Sequence, residues 1–437
     1  MIGAKPARYA AGLLSGFPSS GLAAMSLGHH PHLFSTRSRS TPGWHNQIGD
    51  QRKKRYKSIS HPSVDYRDAS TLTTISIMEI ALAPPRDAFN IALIGYGYAG
   101  RTFHAPLIDA VDGLALRAVV SRYADCVRAS LPAIQVVSDP ATVFSSSDID
   151  LVVIATPNDT HAPLARAALE AGKNVVVDKP FTLDLAEARE LIALAERKNL
   201  MLSVFHNRRW DSDFLSIQQA LDKDLIGDVS HFESHFDRFR PSVRDRWRER
   251  QGPGSGIWFD LGPHLVDQAL QLFGLPDVVQ ANFAQQRHLA STDDWAHIVM
   301  HYGKRRVILH ATMLAAGGTR RFVAHGTSGS MVKRLPDRQE EQLVCGMAPG
   351  APGWGDDADE LILYQADGTQ RRLASVAGDQ RRYYQGIANA LRQLAPNPVP
   401  PFQALAVMAV MEAARSAARR QTSLSLTLSE EERAAWT

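Results

Sequence analysis

Five short apolar runs follow one another between residues 89 and 207, separated by segments with helical patterns. Most of these runs are apolar at consecutive positions, which is typical of parallel strands buried on both faces of a sheet. The predicted strands are FNIALIG, ALRAVVS, DLVVIATP, NVVVDKP and LMLSVFHN, and the clearest helices are HAPLARAALEAGK and LAEARELIALAERKN. This alternation predicts a Rossmann-like, doubly wound parallel sheet with helices on both faces.

The pattern changes after about residue 210. Strand-like segments with hairpin spacers, such as Tyr-Gly-Lys, now follow one another and indicate a large, mostly antiparallel sheet. They are DVSHFESHFDRF, VVQANFAQQ, HIVMHYGKRRVILHATM and RRFVAHGTSGSMVKR, and the helical segments YYQGIANALRQL and FQALAVMAVMEAARSAARR close the chain. We therefore expect an α/β protein with a Rossmann domain at 89–210 and a C-terminal α+β domain at 211–437, whose last helices can pack back on the first domain.

Length and composition limit the function classes. A chain of 437 residues is too long for a single core, and no stretch approaches the roughly 18 consecutive apolar residues of a membrane span. Its two cysteines support neither a disulfide framework nor a thiolate metal cluster. Residues 1–88 hold 11 Lys/Arg against 5 Asp/Glu, whereas the remainder holds 37 against 40. The main body therefore offers no basic face for nucleic acid.

The basic N-terminal extension, residues 1–88, is expected to be disordered. Residues 1–49 carry no acidic side chain, and the run RKKRYK follows them. An acid-poor start resembles a transit peptide and AAGLLSGF resembles a signal, but no clear cleavage pattern follows either. A dispensable tail, with Met78 as an alternative start, is favoured over an arm that wraps a partner subunit. We expect a cytoplasmic protein.

A glycine-rich turn follows the first predicted strand. Gly95, Gly97 and Gly100 form G-x-G-x-x-G at the start of a helical segment, the context in which this motif predicts dinucleotide binding. The first glycine allows the tight turn, the second lets the backbone approach the pyrophosphate, and the third allows close packing of helix and strand. The free N–H groups of the helix N-terminus then favour the anion. Pro106 is expected to kink this helix.

Cofactor choice is predicted at the end of the second strand. Enzymes that use NAD usually carry Asp or Glu there, whereas this chain has Ser121 and Arg122. A hydroxyl and a guanidinium suit a 2′-phosphate, so we expect NADP rather than NAD. An arginine that merely stacks on the adenine remains an alternative compatible with NAD.

The segment GSGIWFDLGPH places Asp260 and His264 four positions apart, on one face of a helix. A catalytic pair, half of a zinc site and an ordinary surface pair all fit that spacing. No cysteine or H-x-x-x-H partner accompanies the two residues, so no metal is expected.

Together, GYGYAGRTFHAPL, TPNDTH, DKP and GIWFDLGPHLVDQ resemble the glucose–fructose oxidoreductase, inositol dehydrogenase and rhizopine-catabolism family, written Gfo/Idh/MocA. The resemblance covers residues 89–428. HNRRWDSDF and RWRERQGPGSGIWFDLGPHLVDQ are similar to the branch that contains NADP-dependent scyllo-inositol dehydrogenase.

The resemblance implies three catalytic residues: Lys179, Asp260 and His264. Lys179 matches the lysine of the family's E-K-P motif, in which Asp178 replaces the usual glutamate. Oxidation of a secondary alcohol requires a base such as histidine and a cation beside the developing alkoxide; which of Lys179 and His264 is the base stays open. The further expected cofactor contacts are Tyr98, Thr156, Pro157, Asn158, His161, Asp178 and Lys179. His161 could instead cap a helix.

The expected substrate residues are Asn207, Arg208, Arg246 and Trp247. The first two lie at the C-terminal end of the last predicted strand of this half, LMLSVFHN, at the sheet edge where ligands bind in open α/β folds. Polar donors beside an aromatic plane suit a polyol, although the charged residues of this segment could equally form ion pairs between domains.

The favoured function is an NADP-dependent dehydrogenase of a cyclic polyol or sugar, with scyllo-inositol and scyllo-inosose as the favoured pair. The alternatives are another sugar or keto-sugar reductase on the same scaffold and a non-catalytic sensor of NADP or sugar, because a fold alone does not establish activity. We also expect a homodimer or homotetramer that pairs through the antiparallel sheet.

Overall fold

The computed structural model describes residues 88–436, so the expectations for the N-terminal extension lie outside the described residues. The first half is a six-stranded, fully parallel sheet in the order β3-β2-β1-β4-β5-β6. Its strands are β1 (Phe89–Ile94), β2 (Leu114–Val120), β3 (Gln135–Val137), β4 (Leu151–Ile154), β5 (Asn174–Val177) and β6 (Leu202–Val204). This order is that of the dinucleotide-binding fold, with its topological switch between β1 and β4.

Helices connect these strands: α1 (Ala105–Asp109), α2 (Ala124–Ser130), α3 (Pro140–Ser145), α4 (His161–Glu170) and α5 (Leu185–Lys198). Local sequence determines the ends of α5. The Asp184 side chain accepts a hydrogen bond from the backbone N–H of Glu187, and Asn199 ends the helix in the left-handed conformation at φ 51°. Its buried residues recur at helical spacing and face the sheet.

The second half is an eight-stranded sheet in the order β14-β13-β12-β11-β7-β10-β9-β8. Its strands are β7 (Val229–Asp237), β8 (Val278–Ala284), β9 (Trp295–Tyr302), β10 (Arg305–Thr312), β11 (Phe322–Gly326), β12 (Gly329–Lys333), β13 (Leu361–Gln365) and β14 (Gln370–Leu373). The neighbours β7 and β10 run parallel, and the other pairs are antiparallel. The expected fold class, a Rossmann sheet followed by a mostly antiparallel sheet, is confirmed.

Helix α7 covers one face of this second sheet. The helices of this half are α6 (Ser212–Asp222), α7 (Ile257–Phe273), α8 (Gln339–Val344), α9 (Arg381–Leu391), α10 (Pro401–Arg420) and α11 (Glu430–Ala434). The burial of side chains alternates along β7: Phe232 and Phe236 are buried, while His231 and His235 lie on the opposite face. No helix within residues 88–436 is long and apolar enough to cross a membrane.

Helix α10 returns to the first half of the chain, as the sequence allowed for the last helices. It packs against α5 and also against α7, the helix that carries Asp260 and His264. The indole N–H of Trp258, in α7, donates to the carbonyl of Met411 in α10 at 3.2 Å. The two sheets are therefore joined by packed helices as well as by the connecting chain.

Candidate active site

The glycine turn has the geometry that its spacing predicts. Gly95 has a φ of +96°, in the region that favours glycine, and a Cβ added there would lie 2.6 Å from the carbonyl oxygen of Ala155. A Cβ on Gly100 would lie 2.1 Å from the carbonyl oxygen of Gly95, so the helix start packs directly on the turn. A Cβ on Gly97 would meet no atom within 4 Å. The space beside Gly97 is therefore open to a ligand.

The irregularity expected at Pro106 begins one turn earlier. Residues Gly100–His104 form a π-helical turn, and α1 then begins with Pro106 in its first turn. Proline lacks an N–H and its ring crowds the carbonyl four residues earlier in a regular α-helix, so the wider turn accommodates it. This turn carries the side chain of His104 fully into the protein interior.

A cavity of about 500 Å³ opens at the carboxyl ends of the parallel strands. The predicted cofactor residues that line it are Gly95, Gly97, Tyr98, Ser121, Arg122, Thr156, Pro157 and Asp178. Trp247 and Arg248 also line it, although they belong to the second half of the chain. Gly100 is not among the lining residues; it packs against the carbonyl of Gly95 and so supports the turn.

Ser121 and Arg122 follow β2 and line this cavity. The Ser121 hydroxyl accepts a hydrogen bond from the backbone N–H of Tyr123 at 3.1 Å, which orders the turn. Among the described lining residues the only carboxylate is Asp178, which follows β5. The end of β2 thus offers a cation and a hydroxyl with no acidic side chain among the lining residues beside it.

Asn158 and His161 brace the loops around the cavity and are not among its lining residues. The Asn158 amide donates to the carbonyl of Gly254 at 2.8 Å. His161 is fully buried, with its two ring nitrogens 2.8 Å from the Pro180 carbonyl and 3.0 Å from the Thr156 carbonyl. Burial lowers its pKa. The ring therefore ties the TPNDTH segment to the DKP segment.

Lys179 and Asp260 meet across the two halves of the chain. The Lys179 ammonium donates to the backbone carbonyl of Asp260 at 2.8 Å and lies 3.6 Å from its carboxylate. The Arg248 guanidinium lies 3.3 Å from the same carboxylate. Burial raises the pKa of Asp260, but Lys179 and Arg248 outweigh that effect and hold it at about 2. Burial lowers the pKa of Lys179, and the two neighbouring aspartates partly oppose that change.

His264 is buried one helical turn after Asp260. Burial lowers its pKa well below 6.5, and the charges of Lys179 and Arg208 lower it further. The imidazole is therefore neutral at pH 7. Its Nδ1 has no hydrogen-bond partner, so Asp260, which pairs with two cations, does not orient the ring. No group of three potential ligands among residues 88–436 could hold a metal ion.

Asp178 lines the cavity, whereas the predicted cofactor contact Lys179, the next residue, is not among the lining residues. Its carboxylate accepts the backbone N–H of Lys179 at 2.8 Å and lies 3.8 Å from Nε2 of His104. His104 in turn hydrogen-bonds the Tyr384 hydroxyl through Nδ1 at 2.6 Å. Burial raises the pKa of Asp178, but His104 and Lys179 outweigh this effect and hold it at about 2. The short acidic side chain is thus kept ionised beside the cavity.

The four expected substrate residues have different partners. Asn207 donates to the side chain of Gln380 at 3.1 Å, and Arg246 pairs with Glu249 at 2.6 Å. Trp247 lines the cavity, under the Arg248 guanidinium, which is 4.6 Å from its ring centre. Of the four, Arg208 is the one whose charge acts on both Lys179 and His264.

Ion pairs between elements account for the neighbouring charges, as the alternative interpretation of this segment allowed. Arg209 forms a buried pair with Asp267 of α7 at 2.6 Å and donates to Gln403 of α10 at 2.6 Å. Asp211 accepts from Arg208 at 3.0 Å. These residues join the end of β6 to the helices of the second half.

Sequence reasoning missed His104, Arg248 and Glu340. Arg248 adjoins the predicted Trp247, which was the available signal. Glu340 accepts hydrogen bonds from Tyr98 and Arg208, but α8 has no pattern that marks it.

Two family models match this chain and together span most of the described residues. The oxidoreductase family model for the NAD-binding Rossmann fold matches residues 89–206, and the model for the family's C-terminal alpha/beta domain matches residues 218–426. The chain belongs to the Gfo/Idh/MocA oxidoreductase family. The expected resemblance is confirmed, as is the expectation of an NAD(P)-dependent dehydrogenase with a dinucleotide-binding Rossmann domain.

Individual members of the Gfo/Idh/MocA family align over nearly their full length. The uncharacterized oxidoreductase YdgJ of Escherichia coli K12 is 51% identical over 343 residues, 78% of this chain and 99% of that protein. The scyllo-inositol 2-dehydrogenase (NADP(+)) IolW of Bacillus subtilis 168 is 33% identical over 345 residues, 78% of this chain and 96% of that protein. The crystal structure of an oxidoreductase from Klebsiella pneumoniae is 55% identical and superposes with a TM-score of 0.76 over 80% of this chain and 98% of that one.

Proposed function

We propose that this enzyme transfers hydride between NADP and a secondary hydroxyl of a cyclic polyol or sugar, with scyllo-inositol and scyllo-inosose as the favoured pair. The observation that carries the proposal is the contact of Lys179 with Asp260 of α7, the helix that also carries His264. The similarity to a scyllo-inositol 2-dehydrogenase supports the substrate class.

The residues of the cavity fit a dinucleotide. Gly97 leaves room for a pyrophosphate at the helix start, while Ser121 and Arg122 suit a 2′-phosphate. Trp247 offers an aromatic face, and Asp178 and Thr156 line the end of the cavity nearest the lysine. The bound cofactor supplies the nicotinamide carbon that accepts or donates hydride.

The chain's own residues divide the proton chemistry between them. The neutral His264 imidazole accepts the hydroxyl proton at a ring nitrogen. The Lys179 ammonium has three N–H donors, of which one binds the Asp260 carbonyl, so a donor remains for the developing alkoxide oxygen. Asp260 and Asp178, both ionised, favour the charged form of the lysine. In the reducing direction His264 returns the proton.

Turnover against a substrate panel tests the proposal. The purified enzyme is mixed with NADP or NADPH, and absorbance at 340 nm is followed with inositol isomers, inososes and aldoses. We expect turnover with a cyclic polyol or its ketone and a preference for NADP. Turnover with open-chain keto-sugars alone would show that the proposed substrate class is wrong. Tight NADPH binding without turnover would favour a sensor.

We also propose that copies of this chain associate through the face of the second sheet opposite α7. That face presents alternating donors and acceptors that could pair with those of a second copy: His231, Glu233, His235, Asp237, His297 and His310. Light scattering on the purified protein is expected to give a dimer or tetramer, and a monomeric mass would overturn this proposal.

A further inference from the structure

A chain of hydrogen bonds links the glycine turn of the Rossmann half to the charged pocket at Lys179 and His264. The Tyr98 hydroxyl donates to one carboxylate oxygen of Glu340 at 2.8 Å, and Arg208 donates to the other oxygen at 2.8 Å. Tyr98 belongs to the cofactor-binding motif, and Glu340 lies 242 residues later, in α8. One side chain of the second half thus contacts two separate segments of the first half.

The two ends of this series of hydrogen bonds lie at different parts of the site. Tyr98 lines the cofactor cavity with a side chain that is half exposed, so a ligand in the cavity would restrict it. Arg208 is buried, and its charge acts on Lys179 and His264. Glu340 is therefore the residue between the place of the cofactor and the place of the reacting hydroxyl.

Arg208 is held in one orientation by what surrounds it. One guanidinium nitrogen donates to Glu340, the second donates to Asp211 at 3.0 Å, and the plane lies 5.1 Å from the ring centre of Phe236. Its Nε is buried without a partner. Arg208 is a charged side chain that acts on the catalytic histidine and has one donor without a partner. It is therefore suited to bind a polar ligand.

We propose that Glu340 is a positioning residue that couples cofactor binding to polyol binding, by holding Arg208 toward the substrate while Tyr98 holds Glu340 at the cofactor cavity. This inference rests on the function proposed above. Binding linkage is reciprocal, so the polyol must tighten NADPH binding by the same factor by which NADPH tightens polyol binding.

Two substitutions separate the two contacts of Glu340. Tyr98→Phe removes only the hydroxyl that faces the carboxylate, and Glu340→Gln removes the charge that neutralises Arg208. Glu341→Gln is the matched control, because Glu341 is the next residue of α8, is exposed and pairs only with Arg338 at 3.2 Å. Thermal unfolding of all three variants first establishes that each one folds.

The decisive readout is NADPH binding, followed by its fluorescence with and without scyllo-inositol or myo-inositol. In the wild type the polyol should lower the Kd for NADPH. In Tyr98→Phe the effect of the polyol on the Kd for NADPH should disappear. Glu341→Gln should behave as the wild type.

Steady-state kinetics give the second readout. Glu340→Gln should raise the KM for the polyol about tenfold or more, the loss expected for one charged hydrogen bond, and change kcat much less. Its pH profile should also move to lower pH, since the uncompensated Arg208 disfavours protonation of Lys179 and His264. Substitution of a residue that only stabilises the fold would neither raise KM selectively over kcat nor shift the pH profile.

The outcomes distinguish the two proposals. A wild-type enzyme that neither turns over nor binds polyols contradicts the proposed function, and this inference with it. An active wild type whose folded Glu340→Gln and Tyr98→Phe variants keep the polyol KM and the polyol effect on NADPH binding contradicts the coupling alone. If Glu340→Gln does not fold, Tyr98→Phe decides by itself.

Discussion

The ammonium of Lys179 donates its hydrogen bond to the main-chain carbonyl of Asp260, at 2.8 Å, and not primarily to the carboxylate, which lies at 3.6 Å. The lysine is therefore placed by the backbone of α7, the same helix that carries His264. Lys179 and His264 are thus both positioned by one helix, and several measurements can test the roles assigned to them.

The pH dependence of kcat/KM should show both lowered pKa values. His264 must be neutral to accept a proton, and burial lowers its pKa well below 6.5, so activity should persist as the pH falls past 6.5 and decline only further down. Lys179 must stay charged, and its lowered pKa places the alkaline limb below pH 10.5. A pH–rate profile with NADP saturating measures both limbs. An acid limb at or above pH 6.5 would contradict this assignment.

Replacement of the histidine should affect chemistry and leave cofactor binding intact. His264→Ala should lower kcat by about 10²–10⁴-fold, the usual contribution of a general base. The Kd for NADPH should change little, because His264 is not among the cavity-lining residues. Stopped-flow turnover and a fluorescence titration measure the two quantities. Equal losses in both would instead indicate a structural residue.

The second and third glycines of the motif, Gly97 and Gly100, should respond in opposite ways to alanine. Gly97→Ala meets no atom within 4 Å, so the free energy of unfolding should stay within about 0.5 kcal/mol while the Kd for NADPH rises about tenfold. Gly100→Ala places a Cβ 2.1 Å from a backbone oxygen and should cost about 1–3 kcal/mol. Denaturant unfolding and NADPH titration separate the effects. The roles would be wrong if Gly97→Ala bound NADPH normally.

Cofactor preference should depend on Arg122. Arg122→Asp places a carboxylate where a 2′-phosphate is expected, so the Kd for NADP should rise roughly tenfold or more while that for NAD stays similar or falls. Arg128→Asp is the control, since Arg128 pairs with Asp125 on α2 away from the cavity lining. An unchanged ratio of the two dissociation constants in Arg122→Asp would contradict the 2′-phosphate assignment.

Periodicity and short motifs predicted most of the fold because those signals are local. Strands β1, β4, β5 and β6 lie within the predicted apolar runs, β2 begins one residue before its run, and α5 and α10 match their predicted segments closely. Strands β13 and β14 were missed, since they are short and β14 is mostly exposed. The parallel pairing of β7 with β10 depends on tertiary packing and has no local signature.

The candidate site was predictable only where a motif carried it. Lys179, Asp260 and His264 were expected to act together from motifs alone, and the hydrogen bond from Lys179 to Asp260 spans 81 positions of the chain. His161 was expected at the cofactor, but its two backbone contacts make it a brace between loops. Glu340 acts through Tyr98 and Arg208, partners distant in sequence, and no spacing rule could reveal it.

The return of α10 to the first half has a consequence for the construction of chimeras. Its Glu412 carboxylate lies 3.4 Å from the first backbone N–H of α5, while Met411 contacts α7. A hybrid that joins this nucleotide-binding half to a relative's substrate half at residue 210 would therefore match a native α5 with a foreign α10. Because α10 also packs against α7 and β8, exchange of substrate domains should succeed only when the contacts of residues 401–420 with both halves are preserved.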